Sequence, residues 1–426
     1  MLAQLEKDWG IDKRLVLLAR QAADKVREKE ERIQDLAACN QLRVLKAFQE
    51  EGVRETDFYP STGYGYNDLG RDKLDRIWAR VFCAQAALVR HQIVSGTHAL
   101  ALCLYGVLRP GDELISATGS PYDTLETVIG HKKNVPGSLR EYGITYREIP
   151  LLPQGEPDLA AIAAAVSERT KMVFIQRSRG YSWRPALSLE TIARIVAAVK
   201  RTNPKTVCLV DNCYGEFTAL AEPPAVGADL TAGSLIKNPG GGLAPSGGYI
   251  AGRAELVEMA AERLTAPGIG GEGGASLDTK RLLYQGLFLA PHIVGEALKG
   301  AVFTAQLMES LGYTVSPAAG EERHDLIQAI RFRTRDELLA FCEGIQKAAP
   351  VDSMVKPVPA PMPGYTHQVV MACGTFIQGA SIELSADAPL REPYIAYVQG
   401  GLTASHVRAA LLIALQHMIS AAYLAL

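Results

Sequence analysis

Thr206-Val-Cys-Leu-Val-Asp211, continued by Asn-Cys-Tyr214, and then Ala232-Gly-Ser-Leu-Ile-Lys237-Asn-Pro-Gly-Gly-Gly242 are the two stretches on which the reading of this chain turns. The first is a short apolar run closed by an aspartate, the pattern of a buried strand that ends at the edge of a parallel sheet. The second sets a lysine beside glycines, with Ser234 three residues before it. Lys237 follows Asp211 by 26 residues, enough chain to leave one strand end and arrive at the next. In open parallel α/β sheets ligands sit off the carboxyl ends of the strands, so these two side chains are expected to face one site.

The surrounding pattern agrees. Further strand candidates are Glu113–Ser116, 171–176 and 248–251, and helical spacing covers 72–92, 97–108, 188–200 and Ala254–Leu264. Residues 71–290 therefore read as a large α/β domain with a mostly parallel central sheet and helices on both faces. Residues 291–426 mix helical stretches (294–311, 335–348, 406–426) with short apolar runs (329–332, 369–371) and read as a smaller C-terminal α+β domain. Residues 1–70 form an N-terminal arm. Apolar positions such as Leu15, Leu18, Ala22 and Val26 suit one or two amphipathic helices over about 11–50, and the Gly- and Pro-rich segment 59–68 breaks them before it reaches toward a partner.

A length of 426 residues suits two or three domains at roughly 150 residues each. Hydrophobic residues make up 48% and charged residues 21%, and 44 Lys+Arg against 46 Asp+Glu leave a net charge of −2. That balance excludes a disordered chain and a nucleic-acid-coating surface. The seven cysteines form no C-x-x-C pair and the eight histidines no H-E-x-x-H, so no metal is expected. Acids and a lysine near Met1 speak against a secretory leader, and the apolar tail from Ala409 is broken by Gln416 and His417. No membrane contact and a cytoplasmic location follow as expectations. Gly268-Ile-Gly-Gly-Glu-Gly273 satisfies G-x-G-x-x-G, yet it follows a helical stretch instead of a strand, so a dinucleotide site is not expected.

A lysine can form a Schiff base with the aldehyde of pyridoxal 5′-phosphate, and a buried aspartate can keep the pyridine nitrogen protonated. Val94-Ser-Gly-Thr-His98 closes an apolar stretch and opens a helix, so Ser95, Gly96 and Thr97 are placed to hold a phosphate, with His98 a further candidate. Ser234 offers another hydroxyl, and Tyr122, after the run ending at Ser116, could lie flat on a pyridine ring. Each of these residues alone is ordinary, a surface lysine, a turn aspartate or a helix cap. Their order along the chain is what carries the reading.

With that order, with Asp211-Asn-Cys-Tyr214 and Ser234-Leu-Ile-Lys-Asn-Pro-Gly-Gly-Gly242, and with Tyr64-Gly-Tyr-Asn-Asp68 and Arg391-Glu-Pro-Tyr394, nearly the whole chain resembles the fold-type-I pyridoxal-phosphate enzymes. Within them it resembles the cystathionine γ-synthase and methionine γ-lyase group, and most closely its aluminium-resistance, methionine γ-lyase-like branch. The resemblance implies that Lys237 is the aldimine lysine, Asp211 the ring-nitrogen partner and Tyr122 the stacking tyrosine. It implies Ser95, Gly96, Thr97 and Ser234 as phosphate ligands, Arg391 as the substrate-carboxylate ligand, and Tyr64 as a residue that enters the partner subunit's site in a homodimer or homotetramer. Two departures stand out: Ile236 precedes the lysine where similar lyases carry a threonine, and Gln176-Arg-Ser-Arg-Gly-Tyr181 replaces their Ser-Asn-Pro type of loop. The expected activity is removal of a β- or γ-substituent, through a carbon–sulfur bond, from an α-amino acid by way of the Lys237 aldimine and a quinonoid. Transamination or other Cα chemistry, and a pyridoxal-phosphate-binding regulatory protein with little turnover, are the alternatives.

Overall fold

Helix starts in this chain are set by its short polar side chains. Asp68, Ser95, Asp158, Ser188, Thr334 and Thr403 each accept a hydrogen bond from the backbone N–H three residues on, a cap contributing about 1 kcal/mol. The computed structural model describes residues 1–132, 135–362 and 365–426. From the N-terminus it runs through α1 (Leu2–Trp9), α2 (Lys13–Glu50), α3 (Leu69–Val81), β1 (Ala86–Arg90), α4 (Gly96–Val107), β2 (Glu113–Ser116), α5 (Asp123–Ile129) and β3 (Thr145–Glu148). Then come α6 (Leu159–Ala165), β4 (Thr170–Gln176), α7 (Leu189–Thr202), β5 (Val207–Asp211), β6 (Leu230–Ser234), β7 (Gly248–Gly252), α8 (Ala254–Leu264) and α9 (Lys280–Ser310). The remainder is β8 (Thr314–Ser316), β9 (Gln328–Arg331), α10 (Arg335–Lys347), β10 (Val369–Cys373), β11 (Ser385–Pro389), β12 (Ile395–Gln399) and α11 (Ala404–Ser420).

Two units result, one of Cys39–Ala290 and one of Met1–Ala38 with Pro291–Leu426. In the first, among the described residues, seven strands lie in the order β1-β7-β6-β5-β4-β2-β3. Neighbours from β6 to β3 are parallel, and β7 runs antiparallel to both β1 and β6. Alternation along the strands divides the core. Met172 and Phe174 of β4 with Leu209 of β5 join Leu100, Leu104 and Val257 on one face, and Val173, Ile175, Cys208 and Val210 join Ile162, Ile192 and Val199 on the other. A sheet buried on both faces explains why its strands read as continuous apolar runs.

In the second unit the order is β10-β11-β12-β9-β8, every pairing antiparallel. Leu338, Phe341 and Ile345 of α10 pack with Leu411, Ala414 and Leu415 of α11, and Leu5, Leu15 and Ala19 from the N-terminal helices enter the same core. At Gly344 a Cβ would lie 2.5 Å from the Ala414 Cα, so the close approach of α10 to α11 requires glycine there.

Several expectations are corrected. The helix expected over 72–92 stops at Val81, and Ala86–Arg90 is instead a strand that pairs Ala86 with Gly252. Its alanine-rich sequence favours helix locally, and sheet pairing overrides that propensity. The arm expected over 1–70 is divided, its first 38 residues belonging with the C-terminal unit. Residues 13–50 form one helix, within the one or two expected there, whereas the last helix ends at Ser420, and α9 begins at Lys280 and carries Pro291 inside it. β3, β6, β8, β11 and β12 are additional to the expected strands. The glycine string 268–273 follows α8 and holds only a short 3₁₀ turn, Gly270–Glu272. By length and composition one described helix, Lys280–Ser310, could cross a membrane, but 67% of its apolar window is buried, as in a core helix.

Candidate active site

The register of the central sheet sets Gln176, Asp211 and Ala232 side by side on β4, β5 and β6, so the loops that follow these strands leave from one edge. Asp211 is buried, its Oδ1 accepting from the Cys213 N–H at 3.1 Å. Burial pushes the Asp211 carboxyl up, against the pull of Lys237 and the Cys213 bonds. A buried N–H cation facing this carboxyl would hold it ionised.

Lys237 directly precedes the turn Asn238–Gly240, and its Nζ lies 4.0 Å from the centre of the Tyr214 ring. Tyr214 reaches that position with φ 69°, a left-handed backbone uncommon for a side chain of its size. Burial works against the charge on Lys237, but Cys213, Tyr214, Asp211 and Tyr122 around it outweigh burial and raise its pKa.

Opposite these, β1 turns into α4. Ser95 caps the helix at the His98 N–H, and His98 Nδ1 accepts from the Val94 N–H at 3.2 Å, closing the turn on itself. A Cβ on Gly96 would fall 3.2 Å from the Cys213 Sγ and 3.4 Å from the Ser234 Cβ. This absent side chain is what lets the helix N-terminus come up against the end of β6. Thr97 Oγ1 accepts from the Tyr122 hydroxyl at 2.9 Å and lies 3.2 Å from Thr124 Oγ1. Tyr122 is set by its backbone N–H, which donates to Gln176 Oε1 at 2.9 Å. Burial, followed by the Asp211 charge, raises the Tyr122 hydroxyl well above its usual range, so it stays a neutral donor.

The structure thus brings Ser95, Gly96, Thr97, Tyr122, Asp211, Ser234 and Lys237 around one edge of one sheet. Tyr64 and Arg391 complete the expected set. Tyr64 is 79% exposed and stacks on Tyr66 at 5.5 Å, with its carbonyl held by the Gly274 N–H. Arg391 is exposed and belongs to the other unit, between β11 and β12. Gln176, Cys213 and Tyr214 are site residues that strand and motif reading does not single out. The arginines of the 176–184 loop, Arg177, Arg179 and Arg184, are buried. Arg177 serves Asn212 Oδ1 at 2.7 Å and the Gly215 carbonyl at 2.9 Å, and Arg184 folds onto the carbonyls of Gln176, Ser178 and Pro185.

The donor set fits pyridoxal phosphate. A glycine-opened helix N-terminus with Ser95, Thr97 and Ser234 beside it suits a phosphate, Lys237 supplies the primary amine and Asp211 the carboxylate for a pyridine nitrogen. Together with the strand order and its one reversed strand, this is the fold of the fold-type-I pyridoxal-phosphate enzymes. A likeness of fold alone extends to the pyridoxal-5′-phosphate dependent protein YhfS of Escherichia coli, with TM-score 0.59 and 17% identity over 90% of this chain and 96% of that one. The chain belongs to the methionine gamma-lyase family, whose model matches residues 15–419. It is 53% identical over 380 residues to the uncharacterized protein YnbB of Bacillus subtilis (strain 168), 89% of this chain and 90% of that protein. It is 50% identical to a carbon-sulfur lyase involved in aluminum resistance from Clostridium novyi NT, with TM-score 0.94 over 98% of both chains. An L-methionine gamma-lyase of Pseudomonas putida is 27% identical over 199 residues, 46% of this chain and 44% of that one.

Proposed function

We propose that this protein is a pyridoxal-phosphate-dependent lyase that breaks a carbon–sulfur bond β or γ to the amino-bearing carbon of an α-amino acid. The observation that carries this reading is the Lys237 amine, 4.0 Å from the centre of the Tyr214 ring on the loop that follows Asp211, with Gly96 closing on Ser234. The family and the Clostridium novyi relative support the choice of bond. Bound pyridoxal phosphate supplies the electron sink for charge left at the substrate's α-carbon. Ser95, Gly96, Thr97 and Ser234 hold its phosphate. Asp211 holds a proton at the pyridine nitrogen, and Tyr122, pinned between Gln176 and Thr97, covers the ring. Lys237 Nζ takes the α-proton and delivers it where the departing sulfur or the product carbon needs it. The absence of a threonine at Ile236 leaves more of the phosphate binding to the α4 N-terminus and Ser234.

A panel of amino acids tests the reading. Release of ammonia, a 2-oxo acid and a thiol without an amino acceptor is the expected result. Dependence on an amino acceptor would indicate transamination, and cofactor binding without turnover would indicate a regulatory protein. A cytoplasmic location belongs to the same proposal, and the seven cysteines, none of them in a disulfide, fit a reducing compartment.

Arg391 is the proposed ligand of the substrate carboxylate, on the strength of its guanidinium fork. Losing a charge-assisted pair costs about 2–3 kcal/mol, so Arg391→Leu is expected to raise KM by roughly 30- to 150-fold while the bound-cofactor absorbance stays intact. An unchanged KM would remove the assignment.

Assembly is proposed as a two-fold dimer, alone or paired into a tetramer, in which Tyr64 completes the partner's site; the exposed Tyr64–Tyr66 stack supports it. Mixed dimers of Lys237→Ala and Tyr64→Ala chains then contain one site with both lesions and one with none. Activity should return to about half per mixed dimer. If mixing restores none, each site is built from a single chain.

A further inference from the structure

Next to Asp211 lies a buried polar cluster that the proposed chemistry does not use. Asn212 donates from Nδ2 to Glu222 Oε2 at 3.0 Å and to the Tyr249 hydroxyl at 3.3 Å. Glu222 is fully buried and well served: Arg177 at 3.8 Å and Arg43 at 3.4 Å balance its charge, and the Phe217 N–H donates to Oε1 at 2.9 Å. Glu216, equally buried, is treated differently. Its Oε1 accepts from the Tyr249 hydroxyl at 2.8 Å, its Oε2 is buried with no partner, and no salt bridge reaches it among the described residues.

A second orphan belongs to a residue already bonded to position 216. Asn238, the residue after Lys237, donates from Nδ2 to the Glu216 carbonyl at 2.9 Å, while its own Oδ1 is buried without a partner. An unsatisfied buried acceptor is costly, and native structures tolerate few of them. A proton on Glu216 would turn its orphaned Oε2 into a donor, and the open buried acceptor on the side chain already bonded to this residue's backbone is Asn238 Oδ1. The room for this acid is made by Gly233, where a Cβ would lie 2.7 Å from Glu216 Oε1 and 2.7 Å from the Tyr249 ring.

We propose that Glu216 is carried as a neutral carboxylic acid whose Oε2–H donates to Asn238 Oδ1, making it a positioning residue that fixes the turn after Lys237. The groups facing it act in the same sense on balance. Burial, with Glu222 adding to it, outweighs the pull of the residue's own backbone N–H, the Tyr249 bond and the Lys237 charge and pushes the Glu216 carboxyl up to about 8. Tyr249 itself, raised by burial and then by Glu216, Cys213 and Glu222, stays a phenol. The consequence for the cofactor rests on the reading of Lys237 as its anchor; the protonation of Glu216 does not.

The test uses the cofactor-free protein. Difference infrared spectra of wild type against Glu216→Gln should show the carbonyl band of a protonated carboxyl at about pH 6 that disappears through about pH 8. A carboxyl whose pKa is raised in the folded state loses stability as pH rises from its ordinary value to the folded one. Glu216→Gln keeps a donor for Asn238 and an acceptor for Tyr249 without that loss. Its melting temperature, relative to wild type, should therefore climb between about pH 5 and about pH 8 and then stay level. Asn238→Ala, which removes the acceptor of the neutral form, should shift the infrared midpoint downward. Absence of the band, or a Gln-minus-wild-type difference flat with pH, overturns the neutral acid; an unmoved midpoint in Asn238→Ala overturns its partner. When pyridoxal phosphate is added to the cofactor-free protein, Glu216→Gln should take it up at the wild-type rate at about pH 6 and faster than wild type at about pH 9. Equal rates at both values would overturn the link to Lys237 and leave the infrared result standing, so failure of the anchor reading is separable from failure of the acid.

Discussion

Lys237→Ala is expected to fold, to carry no covalent cofactor, and to lose at least about a thousandfold in turnover, because attachment and proton transfer both depend on one amine. The choice of the half-buried Lys237 over the buried Lys280 follows from what each amine is doing. Lys280 is paired with Asp68, whose carboxylate takes further bonds from Ser61 and Ser276. Burial works against the charge on Asp68, yet Lys280, Ser276, Ser61 and the Arg71 N–H together hold it well below the usual carboxylate range. Freeing Lys280 would break that pair and strand a buried charge, at a cost of about 3–5 kcal/mol. Lys237 makes no salt bridge among the described residues and faces Tyr214 instead. Borohydride reduction followed by peptide mapping should find the pyridoxyl group on the Lys237 peptide of wild type and nowhere in the variant. An adduct on another lysine, or wild-type turnover in the variant, would end the assignment.

The contrast between these lysines also shows how far sequence alone reaches. Asp211 and Ser234 are legible because each closes a strand, and strand ends in a parallel sheet mark the site edge. For Asp211 the apolar run before it carries the strand signal. For Ser234 only the motif does, since Leu230–Ser234 is too short and too rich in small residues to announce a strand. Ala86–Arg90 fails for a related reason: its alanines favour helix until the antiparallel pairing with β7 overrides them.

What lies between the strand ends is harder to read, because it depends on backbone conformations that residue type does not report. Tyr214 at φ 69° and Phe217 at φ 61° turn the 212–222 loop back on itself. That turn is what brings a ring under Lys237 and buries Glu216 and Glu222 within one cluster. The burial of Arg177 has the same origin, since its partners Asn212, Gly215 and Thr218 all lie on that loop. The chemistry of the site is therefore written at the ends of regular elements, while the support beneath it comes from an irregular loop.

Asp211→Asn is expected to bind cofactor but to slow exchange of the substrate α-proton by roughly a hundred- to several-thousandfold, the loss of a buried charge pair worth about 3–5 kcal/mol. Asparagine is preferred to alanine because its carbonyl can still accept from the Cys213 N–H, which Asp211 engages at 3.1 Å. The backbone bonds that tie position 211 to Arg177 and Asn212 to Ala232 do not involve the side chain and are retained. The same substitution should have the opposite sign on stability in the cofactor-free protein. Burial raises the Asp211 carboxyl above its unfolded value, so its favourable neutral form is present at acid pH and is lost as pH rises through the folded pKa. Relative to wild type, Asp211→Asn should thus gain thermal stability as pH climbs from the ordinary carboxylate range toward neutrality. Adding cofactor should reverse the ranking, since a protonated pyridine nitrogen gives the aspartate a cation that asparagine cannot pair with. Deuterium exchange at the α-carbon, with melting curves taken with and without cofactor, measures both effects. Wild-type exchange in the variant would remove Asp211 from the site, and unchanged ranking on adding cofactor would show that its carboxylate serves only the fold.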